Sequence, residues 1–591
     1  MLLDERGYAP GSARGRGFEA REPMQKPDFT KYLDYGELTQ ALNELVSQRP
    51  DLSKMYSIGK TYEGREMWVV EITNYSLGDP LKKPGMYIDG NHHASEVTGS
   101  MVCLYTIWYL LSRYDTDPFV KRLVDDETFY ILPRIAQDGA EMFLHTPYAP
   151  RSSTRVYPER EREEGLVPED VDGDGWILEM RVKDPNGEWK VSHQDPRLMV
   201  RRQPWDSGGP FYKIYPEGLL KNWDGGDIKI VPPRWGLDLN RNYPANWEPE
   251  AGQRGSGPYP LSEPETRNVA NFLISHPNIG GAMSYHTTMG AILRPSATKP
   301  DEKLPQKDVA VYRVIGEKGT ELTGYPCVST YEDYTVDKNH PLKGVFMDWL
   351  YEHQGIIAFS TELWNAWVRA GGNLFEKEDR MSEESQLKLL RWNDRELAGQ
   401  AFEMWRPFMH PQLGAVEIGG WKSKFTLTNP PPAYLEGECH KNALFTLYHA
   451  ACLPKIALEN VEVAELCPGL FKVSVWVKNT GYLPTNISDQ AIISGKAKPV
   501  TVEISSELPE SPLELVAGQS RQEIGHLEGM VPVGRGWALR QSSEGAQKRR
   551  VEWVLKGSCG TTIQIAASSQ KGGEATLEVV LEAGAAGKGE P

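Results

Sequence analysis

Residues 86–99, Met86-Tyr87-Ile88-Asp89-Gly90-Asn91-His92-His93-Ala94-Ser95-Glu96-Val97-Thr98-Gly99, constrain the fold more than any other stretch. An apolar run ends in a turn, and a long apolar pattern from Met101 to Leu111, which reads as a helix, follows it. His93 therefore falls near the end of a strand, with Glu96 just before or within the first helical turn. An imidazole and a carboxylate three residues apart at such a junction can converge on one point. A second His from elsewhere would complete a three-ligand zinc site whose fourth position is open to water. By itself H-x-x-E is a weak signal, equally at home in a surface turn.

At 591 residues the chain is too long for one core. Apolar content of 39%, charged content of 25% and 17 Trp fit a globular protein and argue against disorder. The net charge of −16 argues against non-specific binding to nucleic acid or an anionic membrane. The six Cys, Cys103, Cys327, Cys439, Cys452, Cys467 and Cys559, are scattered with no C-x-x-C spacing. That disfavours a disulfide scaffold or a thiolate metal site, and most read as inert thiols in packed regions. No stretch approaches about 18 consecutive apolar residues, so no membrane span is expected. The N-terminus lacks the apolar core of a secretory signal, so the expectation is cytoplasmic, with secretion as the alternative.

Residues 1–27 read as a loosely held arm. Leu38, Leu42 and Leu45 mark an amphipathic helix ended by Pro50. Met67 to Ile72 and Phe129 to Leu132 read as strands, the first leaving the turn Glu63-Gly64-Arg65. Residues 140–232 break the pattern and read as a long insertion of loops and short strands. Inside it, Asp170, Asp172 and Asp174 match the start of a calcium loop, but its twelfth position is Arg181, where such a loop needs Glu. The alternative is a tight Asp/Gly turn without an ion. Ser262 and Glu265 suggest a capping box opening a helix that stops before Pro277. Gly281 to His286 and Gly355 to Glu362 read as apolar strands ending on His286 and Glu362. A carboxylate there is costly to bury unless it is paired or used. Residues 385–410 read as a last helix and 411–455 as a connecting segment broken by Pro430-Pro431-Pro432. From 456 the period is two, which predicts an all-β sandwich module, with a frayed end from Gly584. Strands alternating with helices predict an α/β fold, a mixed central sheet flanked by helices, with functional groups at the carboxyl ends of strands.

In chain order His93-Ala94-Ser95-Glu96, Asp238-Leu239-Asn240-Arg241-Asn242, Tyr285-His286 and Phe359-Ser360-Thr361-Glu362-Leu363 resemble the zinc carboxypeptidases of the carboxypeptidase A type. Glu63-Gly64-Arg65, Asp138-Gly139, Ser262-Glu263-Pro264-Glu265 and Asp348-Trp349 extend the match over residues 28–410, apart from the insertion. The resemblance implies one zinc ion held by His93, Glu96 and His286. It implies Glu362 as general base, and Asn240 with Arg241 gripping the terminal carboxylate of a peptide substrate. The bland readings are a backbone-bonded core carboxylate for Glu362 and a structural ion pair for Arg241. His92 is the neighbour of a ligand, since only His93 has the family spacing to Glu96.

The family's usual Arg between Ala and Glu of the first motif is Ser95 here. The second Arg, which polarises the scissile carbonyl, should lie between Asp138 and Asp238. Arg181 is the choice, with Arg202 and Arg234 as rivals. Tyr334 and Tyr331 are candidates for the family's mobile Tyr. Met347, just before Asp348, occupies the position that often sets side-chain preference, and suits an apolar C-terminal residue. A second enzyme reading keeps the zinc chemistry but acts on cell-wall γ-D-glutamyl peptides or glutamate side chains. A third, a silent binding protein, is disfavoured by the intact ligand and acid set.

Overall fold

The computed structural model of the chain describes residues 24–159, 163–373, 382–506, 514–530 and 543–582. Most of the expected N-terminal arm, and the expected frayed end from Gly584, lie outside the described residues. Helix α1 (Tyr35–Gln48) opens on Asp34, whose side chain accepts the Glu37 N–H while Glu37 reaches back to the Asp34 N–H. Leu38, Leu42 and Leu45 are its buried face.

Strands β1 (Ser53–Lys60), β2 (Glu66–Ile72) and β3 (Gly85–Gly90) follow, then helices α2 (Thr98–Arg113) and α3 (Pro118–Asp126), β4 (Thr128–Leu132) and α4 (Gln137–His145). Next come six short strands: β5 (Gly165–Pro168), β6 (Glu179–Lys183), β7 (Trp189–Val191), β8 (Met199–Arg201), β9 (Tyr212–Pro216) and β10 (Gly218–Lys221). The regular pattern resumes with α5 (Pro264–Ser275), β11 (Ile279–Thr287), β12 (Ala291–Arg294), α6 (Gln306–Thr323), β13 (Cys327–Ser329), α7 (Phe346–Asp348) and β14 (Ile357–Leu363).

The central sheet has eight strands in the order β1-β2-β4-β3-β11-β14-β12-β13. Its middle strands, β3, β11 and β14, are adjacent and parallel. Their carboxyl ends therefore open on the same edge, where an α/β sheet places its ligands. Both faces are covered, so these strands are buried throughout and mostly apolar rather than alternating. Ile88, Ile357 and Phe359 face the layer containing α2, while Tyr87 and Ala358 face the layer containing Val269 and Phe272 of α5.

After α8 (Ala366–Arg369), helix α9 covers only Glu383–Glu396. It ends where Ala398 and Gly399 take left-handed backbone, with φ of 51° and 78°. Residues 402–410, expected to be helical, form strand β15 (Phe402–His410), paired with β16 (Gly414–Trp421). These two join the insertion in a six-stranded sheet, β15-β16-β6-β9-β7-β8. The expected connecting segment also holds α10 (Pro432–Ala450). Pro432 begins that helix, its missing N–H costing nothing in the first turn. Leu435, Cys439, Ala443, Phe445 and Leu447 of α10 are fully buried in the same apolar layer as α2 and α6. Helix α5 also departs from expectation. Its N-cap is Glu263 without a side-chain cap, and Glu265 instead accepts the N–H of Tyr62 at 2.8 Å.

The C-terminal region is an antiparallel β module. One sheet contains β17 (Ile456–Cys467) and β18 (Leu470–Asn479), and a second contains β19 (Thr501–Ser506). Phe471, Val473, Val475, Val502, Trp553, Ile563 and Ile565 share one core between the sheets. The module is tied to the central sheet and its helices by buried polar contacts. Asp308 of α6 accepts the N–H groups of Asp489 (2.8 Å) and Gln490 (3.0 Å), and Lys571 donates to the carbonyl of Ile279 at 2.5 Å. All six cysteines are free thiols. Among the described residues no helix is long and apolar enough to cross a membrane.

Candidate metal centre and catalytic cleft

Strand β3 stops at Gly90 because Asn91 turns into left-handed backbone, with φ 64°. The Asn91 side-chain amide donates to the carbonyls of His93 (2.5 Å) and Ala94 (3.3 Å), which fixes the turn. Gly90 is required by close approach: a Cβ there would lie 2.6 Å from the carbonyl carbon of Gly99 in the first turn of α2. His93 and Glu96 thus hang over the end of β3, while His286 ends β11 directly opposite Glu362 on β14.

His93 Nδ1 lies 2.8 Å from Glu96 Oε1, and His286 Nδ1 lies 3.0 Å from Glu96 Oε2. The two Nδ1 atoms are 3.1 Å apart. On its other side His93 Nε2 lies 3.1 Å from Asp238 Oδ1. An Nε2–H donated to Asp238 leaves the Nδ1 lone pair facing His286. Two imidazole lone pairs and a carboxylate converging in a buried space repel one another unless a proton or a cation sits between them. Two His nitrogens and one carboxylate, all within 4.8 Å of one another, suit a catalytic zinc ion. His92 is not part of the cluster: its Nε2 lies 3.1 Å from the Tyr243 hydroxyl and its ring is fully buried.

Electrostatics separate the two glutamates. Burial would raise Glu96, but the charge and hydrogen bonds of His93 and His286 hold it well below the ordinary carboxylate range. Burial pushes Glu362 up to about 8, and the charge of Glu96 adds to the push. Burial also drives His286 down to about 4, which keeps it neutral, as a metal ligand must be.

Arg151 joins this cluster, and sequence reasoning missed it. Its Nε donates to Asp238 Oδ2 at 2.8 Å and its Nη1 lies 3.8 Å from Glu96. Its side chain is 42% exposed, so the guanidinium opens to the cleft. It sits inside the window between Asp138 and Asp238, in Pro150-Arg151-Ser152. Placing the start of the insertion at 140 disguised it, because α4 continues the regular fold to His145. Its neighbours keep it in place: Ala94 N–H donates to the Arg151 carbonyl at 2.9 Å.

Arg181 is elsewhere. It lies on β6, makes a two-pronged ion pair with Glu417 at 3.0 and 3.1 Å, and stacks on Trp405. Its rivals are equally occupied: Arg202 lies over the Phe211 ring and Arg234 approaches Glu163 at 3.5 Å. Asn240 and Arg241 follow Asp238 in a single short turn. Asn240 Oδ1 accepts the Phe346 N–H at 2.8 Å and its Nδ2 lies 3.5 Å from His286 Nε2. Arg241 Nη1 donates to the Asn240 carbonyl at 2.7 Å. Tyr334 lies within electrostatic reach of Glu362, Glu96, Arg241 and Arg151, whereas Lys338 lies over the ring of Tyr331. Met347 is buried in the apolar layer with Tyr243, Phe346 and Trp349. Asp170, Asp172 and Asp174 converge, but Arg406 pairs with Asp172 (2.5 Å) and Asp174 (2.7 Å) and supplies the positive charge a calcium ion would bring. Calcium is therefore not supported there.

A buried His/Glu/His cluster at the carboxyl edge of a mixed α/β sheet, with a raised carboxylate beside it, defines the class of zinc-dependent hydrolases. The family model described as zinc carboxypeptidase matches residues 38–376, and this chain belongs to that family. A separate family, described only as a domain of unknown function, matches residues 455–580. A zinc carboxypeptidase from Saccharothrix mutabilis subsp. capreolus is 31% identical over 118 residues, 20% of this chain and 27% of that protein. Human carboxypeptidase Z is 30% identical over 145 residues, 24% of this chain and 22% of that protein. Mouse carboxypeptidase A6 is 23% identical over 358 residues, 58% of this chain and 62% of that protein. The chain thus spans less than two thirds of each of these relatives. Among solved structures, thrombin activatable fibrinolysis inhibitor is similar with a TM-score of 0.40 and 16% identity, over 71% of this chain and 74% of that one.

Proposed function

We propose that this chain is a zinc metallocarboxypeptidase that hydrolyses the C-terminal peptide bond of peptides. The observation that carries the reading is Glu362, buried beside the His93, Glu96 and His286 donors and within electrostatic reach of both Arg151 and Arg241. His93, Glu96 and His286 would hold the zinc ion, which would lower the pKa of a water and polarise a carbonyl. Glu362 takes the proton from the attacking water and returns it to the leaving amine. The ionised form of Glu362 that this role needs would be favoured once the negative charge of Glu96 is neutralised by a cation held between His93, Glu96 and His286.

Arg151, held by its ion pair with Asp238, serves the charge that develops on the scissile carbonyl oxygen. Arg241 and Asn240 hold the substrate carboxylate, for which the planar guanidinium fork is suited. Tyr334, within electrostatic reach of Glu362 and Arg241, is the residue placed to cover the bound peptide. Met347, packed in the apolar layer behind Asn240, brings no charge that would hold a Lys or Arg side chain, which favours an apolar C-terminal residue.

Turnover of an N-blocked dipeptide should fall at least about a hundredfold in Glu362→Gln, with zinc content unchanged. Undiminished turnover would remove Glu362 from the role. Hydrolysis of a γ-D-glutamyl-diamino acid peptide in preference to the dipeptide would move the substrate to the cell-wall class.

A further inference from the structure

A cavity of about 410 Å³ lies beside the loop that carries Arg151. Four stretches wall it: Tyr148 from the loop after α4, Pro168 and Trp176 from the short strands and loops of the insertion, Pro233 and Trp235 just after it, and Trp421 from the end of β16. Its walls are built rather than accidental. Tyr148 and Trp235 meet edge to face with ring centroids 5.3 Å apart, and Trp421 Nε1 donates to Gln386 at 3.2 Å. Lys424, on the rim, is held by donation to the carbonyls of Phe143 (2.7 Å) and Thr146.

The cavity shares a wall with the loop that carries Arg151. Arg151 N–H donates to the Trp235 carbonyl at 3.1 Å, and Tyr148 lies three residues before Arg151. Three residues of extended chain span about 10 Å. A peptide with its scissile carbonyl beside Arg151 can therefore reach this cavity with residues only a few positions upstream. Tryptophan and proline faces take aromatic or proline rings by stacking, and contribute little to a chain of small residues.

We infer that the insertion exists to form an upstream substrate pocket for an aromatic or proline residue about three to four positions before the scissile bond. This rests on the peptidase reading above. It assigns Trp176, which touches none of the catalytic groups, as a specificity residue.

The test uses the full chain loaded with zinc and three N-blocked substrates with C-terminal Phe: a dipeptide, a hexapeptide with Trp at those upstream positions, and the same hexapeptide with Gly. The Trp hexapeptide should exceed the Gly hexapeptide in kcat/KM by roughly fivefold to tenfold, through KM. Trp176→Ala should abolish that advantage while leaving dipeptide turnover unchanged, which also shows that the variant folds. Equal kcat/KM for the two hexapeptides, or an advantage that survives Trp176→Ala, would overturn the pocket. Silence toward all three substrates would instead sink the peptidase reading. Binding of the Trp hexapeptide, followed by anisotropy of a labelled N-terminus, then decides the pocket alone: affinity lost in Trp176→Ala supports it, and unchanged affinity overturns it.

Discussion

Two arginines of the same region have opposite fates, and their partners explain why. Arg181 is consumed by Glu417 and Trp405, so its charge is spent within a sheet. Arg151 shares Asp238 with His93 and still opens to the cleft. Arg151→Ala should lower kcat/KM about a hundredfold or more, whereas Arg181→Ala should leave kinetics unchanged. The opposite ranking would restore Arg181 to the site. Asp238→Ala should weaken zinc affinity by about tenfold to a hundredfold, read by competition with a coloured chelator, because it orients His93 and sets its tautomer. Affinity equal to the parent would show that His93 needs no such support. His93, Glu96, His286 and Glu362 were visible as residues because each ends an apolar strand or sits in its turn. Arg151 was not, because nothing in a lone Pro-Arg-Ser tells which aspartate it will meet.

At the scale of elements, local periodicity was most reliable where burial is one-sided. Helix α1 repeats its apolar residues every three to four positions and strand β18 mostly every second one, and the chain adopts both as the pattern implies. It was least reliable where partners are remote. Residues 402–410 carry Met404, Trp405 and Phe408, which suit a helix or a strand equally, and pairing with β16 decides the matter. Helix α10 was hidden behind three prolines, yet it fills the layer against α2. Phe445→Ala should therefore cost about 3–5 kcal/mol in denaturant unfolding, as a core deletion does. A loss within about 0.5 kcal/mol, the range of a surface change, would show that α10 is a mere connector.

At the scale of the molecule, the β module and catalytic sheet are joined through buried groups, and one of them titrates near neutrality. Burial depresses Lys571 to about 7, with Lys496 adding to the effect. Between that value and its ordinary value near 10.4 the unfolded chain binds a proton that the folded chain does not. Stability contributed by this residue therefore rises with pH across that window, and below it the full cost of burying the ammonium is felt. Melting temperatures of the parent and Lys571→Met, followed from pH 6 to pH 9, should show the parent gaining on the variant above pH 7. A constant difference would mean that the amine stays charged when folded.

What the sequence determined by itself is the class of chemistry and the local frame that carries it. Short-range order is enough for this: a His three residues before a Glu at a strand end, an Asp-x-Asn-Arg turn, and a carboxylate closing an apolar run. Only the tertiary structure decided which groups meet across long separations: Arg151 with Asp238, the insertion with β15 and β16, α10 with α2, and Lys571 with Ile279. Such meetings depend on sheet order and on layers closing over one another, and no residue's immediate neighbours along the chain carry that information.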